Sequence, residues 1–192
     1  VRLNVDLHCH STVSDGVLSP TEVATRAAGN GVNVWSLTDH DEVGGQQEAA
    51  RVASELGMTY IPGIEISVTW AGHTLHIVGL GIDPDNEAMN AGLNRIRDDR
   101  ELRAREMSEK LAQFGIMDAY EGALKFADNP NLLSRTHFAR YIVETGHCKS
   151  MQEVFDRYLG DGKPGYVAGD WAGLEEAINW INQSGGIAVI AH

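Results

Sequence analysis

An α/β fold is the class this sequence predicts, on three observations. Short apolar runs alternate with helical patterns of roughly ten to fifteen residues, the spacing of βαβ units and of a parallel sheet. Some runs, Leu75 to Ile82 among them, are apolar on both faces, which calls for helices on either side or for a barrel wall. Histidines and carboxylates gather where the runs end, the place α/β folds build their sites.

Taken in order, residues 2–9 read as a buried strand. Ser19-Pro20-Thr21-Glu22 opens a helix, with Ser19 or Thr21 as cap and Pro20 near the first turn; it runs to about Ala28 and stops at Gly29-Asn30-Gly31. Val32 to Thr38 is the second strand, ending at Asp39-His40-Asp41. A helix with Ala49, Val52, Ala53 and Leu56 on its apolar side follows, closed by Gly57. Thr59 to Ile61, Ile64 to Thr69 and Leu75 to Ile82 are strand-like, with Trp70-Ala71-Gly72-His73 as a turn. From about Ala88 to Gly165 strand signals vanish. Ile96, Met107, Leu111 and Phe114 are expected to form one helical stripe, Ser134 caps a helix that ends at Gly146, and Met151 to Leu159 is a further helix. Residues 174–184 are helical again, and Gly185-Gly186 leads to the strand Ile187–Ala191 and to His192. The expected domains are therefore 1–87, a helical insertion over 88–165, and 166–192 as a return to the first.

Composition narrows the classes. With 192 residues, 43% hydrophobic and 22% charged, the chain supports a full domain with a core. No apolar run reaches the length of a membrane span, and no basic-then-apolar leader is present. Two cysteines, Cys9 and Cys148, suit a reducing cytoplasm rather than a disulfide framework. A net charge of −12 opposes long polyanions unless bound cations or a basic patch reverse the field, and no DNA-binding motif is found. Both devices are available: Arg95, Arg97, Arg100, Arg103 and Arg105 cluster, and several acidic residues have the makings of metal ligands.

His8 and His10 lie two apart on one strand and so share a face, about 7 Å apart, with Asp15 in the loop beyond. One His-x-His is as readily a chance pair. The rest of the chain shifts the balance: Asp39, His40 and Asp41 follow the second strand, Glu65 and His76 sit in later strands, and His192 follows the last. Burying Glu65 between Ile64 and Ile66, or His76 between Leu75 and Ile77, is unfavourable without a strong partner. Divalent metal ions satisfy the whole set, whose imidazoles and carboxylates suit zinc, manganese or iron.

These motifs resemble the PHP family, named for polymerase and histidinol phosphatase domains. The likeness rests on His8/His10, Ser14-Asp15-Gly16, Thr38-Asp39-His40, Gly63-Ile64-Glu65 and His76-Ile77. Ser134-Arg135-Thr136-His137-Phe138-Ala139-Arg140, the run Tyr158 to Val167 and the closing Ala191-His192 resemble the bacterial 3′,5′-nucleoside bisphosphate phosphatase and 5′-to-3′ exoribonuclease branch. The resemblance implies a distorted (β/α)7 PHP barrel holding three metal ions, with an inserted helical subdomain. It implies His8, His10, Asp15, His40, Glu65, His76 and His192 as ligands, Glu65 bridging two ions, and Glu65 and His192 at the chemistry. In the family, a Pro-Gly and a further segment with an Asp-x-His pair follow the last Ala-His, so the chain is expected to be C-terminally incomplete.

Asp39 is expected to orient a ligand imidazole, and Asp41 is open between that role and the surface. Arg135 and His137, at the start of a helix where free N–H groups favour an anion, are expected to contact a substrate phosphate, as are Arg97 and Arg100 three apart on one helix. The substrate would be a nucleotide or a short RNA 5′ end. Two alternatives stand beside this: a histidinol-phosphatase-like monoesterase, and an amidohydrolase, for which no strand carries the usual bridging lysine.

Overall fold

The first helix of the computed structural model, which describes residues 3–169 and 171–192, starts where its side chains dictate. Ser19 accepts the Glu22 amide while Glu22 accepts the Ser19 amide at 2.8 Å, so α1 (Pro20–Gly29) is capped reciprocally. This helix links β1 (Val5–Asp6) to β2 (Val34–Trp35), and α2 (Gln46–Glu55) links β2 to β3 (Thr59–Tyr60); the three strands form a parallel sheet in the order β1-β2-β3. Ala24, Trp35, Leu37, Ala49 and Ala53 fill the core beside it. Beyond the β1–β2 ladder a side chain joins the two segments. Thr38 Oγ1 accepts the Cys9 amide at 3.2 Å and donates to the Cys9 carbonyl at 3.1 Å, beside the backbone bond from the Thr38 amide to that carbonyl at 2.9 Å.

Across the expected turn at Trp70–His73, β4 (Gly63–Trp70) and β5 (His73–Leu80) pair antiparallel over their whole length. No helix separates them. Ala71 and Gly72 both take positive φ, 50° and 80°, and that two-residue turn matches the twist of a hairpin.

From there the chain enters α3 (Glu87–Ala112), which passes between two compact units, Val1–Ile96 with Trp171–His192 and Arg97–Asp170. The expected single stripe divides accordingly. Ile96 packs in a core of the first unit, Met107 and Leu111 in that of the second, and Phe114 lies past the helix end, 51% exposed against Tyr158. The second unit adds α4 (Ala119–Leu124), α5 (Arg135–Glu144) and α6 (Met151–Val154), the last widening into a π-helical turn over Phe155–Leu159. Leu111, Ile116, Phe138, Ile142 and Leu159 are buried at its centre.

Returning to the first unit, β6 (Ala172–Gly173), α7 (Leu174–Gln183) and β7 (Ile187–Ile190) complete a second, mixed sheet in the order β6-β4-β5-β7. Ile64, Ile66, Ile77, Leu93 and Ile181 pack between that sheet and its helices. No helix of the described residues is long and apolar enough to cross a membrane.

Candidate metal centre

Five imidazoles converge on one carboxylate. Glu65 is 1% exposed, and its Oε2 lies 3.1 Å from His8 Nε2, 3.0 Å from His10 Nε2 and 3.3 Å from His40 Nδ1. Its Oε1 lies 3.2 Å from His76 Nδ1 and 3.5 Å from His192 Nε2. Local backbone pairing delivers each group. The Glu65 amide donates to the Asp39 carbonyl at 3.1 Å, and the Asp41 amide to the Glu65 carbonyl at 2.9 Å, setting His40 beside Glu65. His76 donates its amide to the His192 carbonyl at 3.0 Å and accepts the Ala191 amide at 2.9 Å, so the two rings stand 4.8 Å apart.

Asp15 joins His10 and His40, with ligand atoms all within 4.8 Å of one another. The loop that brings it there folds on the Ser11 carbonyl, which accepts the Ser14 and Gly16 amides at 3.1 and 2.8 Å. A Cβ at residue 16 would stand 2.6 Å from the His10 carbonyl oxygen, which explains glycine in the Ser-Asp-Gly motif.

Asp39 does not perform the task expected of it. Its carboxylate, fully buried, accepts the Ser11 amide at 2.7 Å and the Ser11 and Ser14 hydroxyls at 2.6 Å each, so it holds the loop that carries Asp15 rather than an imidazole. Asp41 is buried too, its oxygens taking the Ser67 amide and hydroxyl.

Electrostatics follow from this crowding. Burial alone would raise the Glu65 pKa, yet the His10 and His76 nitrogens and the charge of His40 and His10 outweigh it and hold the carboxyl far below its usual range. Burial likewise opposes charge on His10, but facing Glu65, with Asp15 and Asp39 near, raises its pKa. Burial pushes Asp39 up in spite of its serine donors.

The arrangement fits a cation. His10 Nδ1, His76 Nδ1 and Glu65 Oε1 are buried without a partner of hydrogen-bond geometry, although Glu65 Oε1 and His76 Nδ1 are 3.2 Å apart. Buried polar atoms left without a partner, in an imidazole and carboxylate set, suit a divalent metal ion. Three overlapping trios have that spacing: His8, His10 and Glu65; His10, Asp15 and His40; His40, Glu65 and His76.

The expected phosphate contacts fall in residues 97–170. Arg135 opens α5, donating to the Leu159 carbonyl at 3.3 Å and Asp161 at 3.2 Å, with its guanidinium over Phe155 and Tyr166. His137 is 1% exposed, and its Nδ1 accepts the Ser134 amide at 3.1 Å, closing the helix start. Arg97 is half-buried and Arg100 buried. Arg103 lies one turn further along the same helix. It is 9% exposed, donates to the Val167 carbonyl at 2.8 Å, and its pKa is lowered by burial and by neighbouring Arg100 and Arg135. Arg97, Arg100 and Arg103 thus follow one another at three-residue spacing on α3.

Residues 6–184 match the PHP domain. The chain belongs to the PHP family. It is 52% identical over 189 residues to a Chromobacterium violaceum protein named 3′,5′-nucleoside bisphosphate phosphatase, covering 98% of this chain and 66% of that one. It is 48% identical over 187 residues to a 5′-3′ exoribonuclease of Haemophilus influenzae, covering 97% and 68%. The chain thus spans about two thirds of the length of these curated relatives. Solved PHP-like structures agree on the fold. One is an amidohydrolase from C. violaceum with bound sulfate and no metal, with TM-score 0.96, 52% identity, and 98% and 66% of the two chains covered. Another, from Bifidobacterium adolescentis and assigned as a metal-dependent phosphoesterase, has TM-score 0.91 at 25% identity, covering 99% and 67%.

Proposed function

We propose that this PHP chain belongs to a metal-dependent phosphoesterase that hydrolyses a terminal phosphate of 3′,5′-nucleoside bisphosphates and acts 5′-to-3′ on short RNA ends. The observation that carries the reading is the buried Glu65 carboxylate ringed by five imidazoles, with partnerless polar atoms among them. The names and identities of the two curated relatives support the substrate class. The sulfate of the C. violaceum structure, a tetrahedral dianion like phosphate, is consistent with it.

His8, His10, Asp15, His40, Glu65, His76 and His192 would hold the ions, three in a full site and of manganese, zinc or iron type. When bound, such ions supply a water of lowered pKa and neutralise phosphate charge. Glu65, kept ionised by its neighbours, is placed to bridge, and its burial keeps bulk water from competing. His192 Nε2 lies 3.5 Å from Glu65 Oε1, within reach of the same ions. Arg97, Arg100 and Arg135 are the proposed phosphate donors, within a helical insertion over 88–165, and His137, whose Nδ1 accepts the Ser134 amide, orders the start of α5. The free thiols Cys9 and Cys148 suit a cytoplasmic protein. A lysine-bridged amidohydrolase site finds no support, since Lys110, Lys125, Lys149 and Lys163 all lie in residues 97–170.

The test is release of phosphate from 3′-phosphoadenosine 5′-phosphate by the Mn²⁺-loaded protein, with metal content measured in parallel. Glu65→Gln is expected to abolish turnover and lower bound metal. A variant that keeps both removes Glu65 as the bridge, and an inactive, metal-free wild type removes the reading.

A further inference from the structure

Asp41 is fully buried and adopts φ 50°, a left-handed conformation uncommon outside glycine. Its position explains why. The loop after β2 meets β4 through one bridge, the paired backbone bonds of Asp39 and Asp41 with Glu65. Two residues on, the Ser67 amide also points away from β5, because its cross-strand partner His76 turns its own amide and carbonyl towards residues 191 and 192. The parallel pairing of β4 with β6 is confined to Val68 and Thr69. Between bridge and strand, the Asp41 carboxylate stands in for a backbone neighbour: Oδ1 accepts the Ser67 amide at 2.7 Å and Oδ2 the Ser67 hydroxyl at 2.9 Å. The positive φ is what folds the side chain back to reach it.

We infer that Asp41 is a positioning residue, the clasp that joins the β1-β2-β3 sheet to the mixed sheet and fixes Glu65 against His40 and His10. Glu65 and Ser67 share one face of β4, so holding both backbones stops the strand from sliding or rolling beneath the imidazoles. A ligand oxygen bonds its ion at about 2.0–2.2 Å, which leaves little tolerance for such movement. Asp41 acts through the backbone of Glu65 and Ser67. The inference rests on the metal-centre reading above.

Mn²⁺ titration by calorimetry, far below the unfolding temperature, separates the two. Asp41→Gly tolerates the left-handed backbone but removes the clasp, and is expected to weaken Mn²⁺ binding about 10- to 100-fold, the range for residues supporting metal ligands. Asp41→Asn retains an acceptor for the Ser67 amide and a partner for its hydroxyl, and is expected to restore affinity to within about threefold of wild type. Wild-type affinity in the glycine variant, or equal loss in both, overturns the inference while leaving the metal reading intact. A wild type that binds no Mn²⁺ overturns the metal reading itself. Should Asp41→Gly fail to fold, Ser67→Ala removes one of the two bonds; it is expected to weaken binding severalfold, and unchanged affinity there also overturns the clasp.

Discussion

Replacing Asp39 distinguishes a buried acceptor from a buried charge. Three donors point at its carboxylate: the Ser11 amide and the Ser11 and Ser14 hydroxyls. Asp39→Ala leaves all three in buried space, and each unsatisfied group costs about 1–3 kcal/mol. Two are hydroxyls able to turn, so the expected loss is about 3–5 kcal/mol. Asp39→Asn keeps an acceptor for the Ser11 amide and Ser14 hydroxyl and no longer buries a charge; the expected loss is about 1–2 kcal/mol. The pH dependence carries a sign. Burial raises the native pKa above the ordinary carboxylate value, so the native state holds its proton to higher pH than the unfolded chain. The stability contributed by Asp39 therefore falls as pH rises through that window, and the wild type should show a downward slope relative to Asp39→Asn. Urea unfolding in EDTA, followed by tryptophan fluorescence from pH 4 upward in steps, measures both quantities (pH range of roughly three units). An alanine variant within about 1 kcal/mol of wild type, or a slope of opposite sign, refutes the reasoning.

Gly92→Ala in α3 should destabilise although alanine is the better helix former, because the new methyl falls within the Trp180 indole; about 1–3 kcal/mol of overpacking exceeds a helix gain of about 1 kcal/mol, as urea unfolding would register. Cys9, its thiol pushed up to about 12 chiefly by burial, should react with iodoacetamide at pH 8 about a thousandfold more slowly in the native protein than in urea, read by mass spectrometry. Arg135→Ala should raise KM for a nucleoside bisphosphate about tenfold or more beyond any change for an aryl phosphate, since charge-assisted bonds to a second phosphate are worth about 1.5–3 kcal/mol. Equal effects in steady-state kinetics assign Arg135 to its contacts with Leu159 and Asp161.

What could be read in the sequence was local. The Ser19–Glu22 cap, the α1 and α2 helices and the strand ends carrying His8, His10, His40, Glu65 and His76 follow from residue type and short spacing, and the structure brings those groups together. What could not be read depends on partners distant in the chain. Asp39 finds Ser11 and Ser14 across a loop, a pairing with no spacing rule behind it. The left-handed turn at Asp41 is invisible in an ordinary Asp-His-Asp run. His137 stands where Glu or Gln would mark a capping box, so its residue type gives no sign that it closes the helix start. Phe114 fitted a helical period that runs on after the helix has ended at Ala112.

The pairing that ties His76 to residues 191 and 192 gives β7 a reading frame. Alternate residues of a strand face opposite ways, so a single insertion between Gly186 and His192 turns the last imidazole to the far side, whatever the inserted residue. Two insertions restore its face but move it about 7 Å along the strand. β7 is thus a ruler as much as a strand, and its count of residues is part of the site.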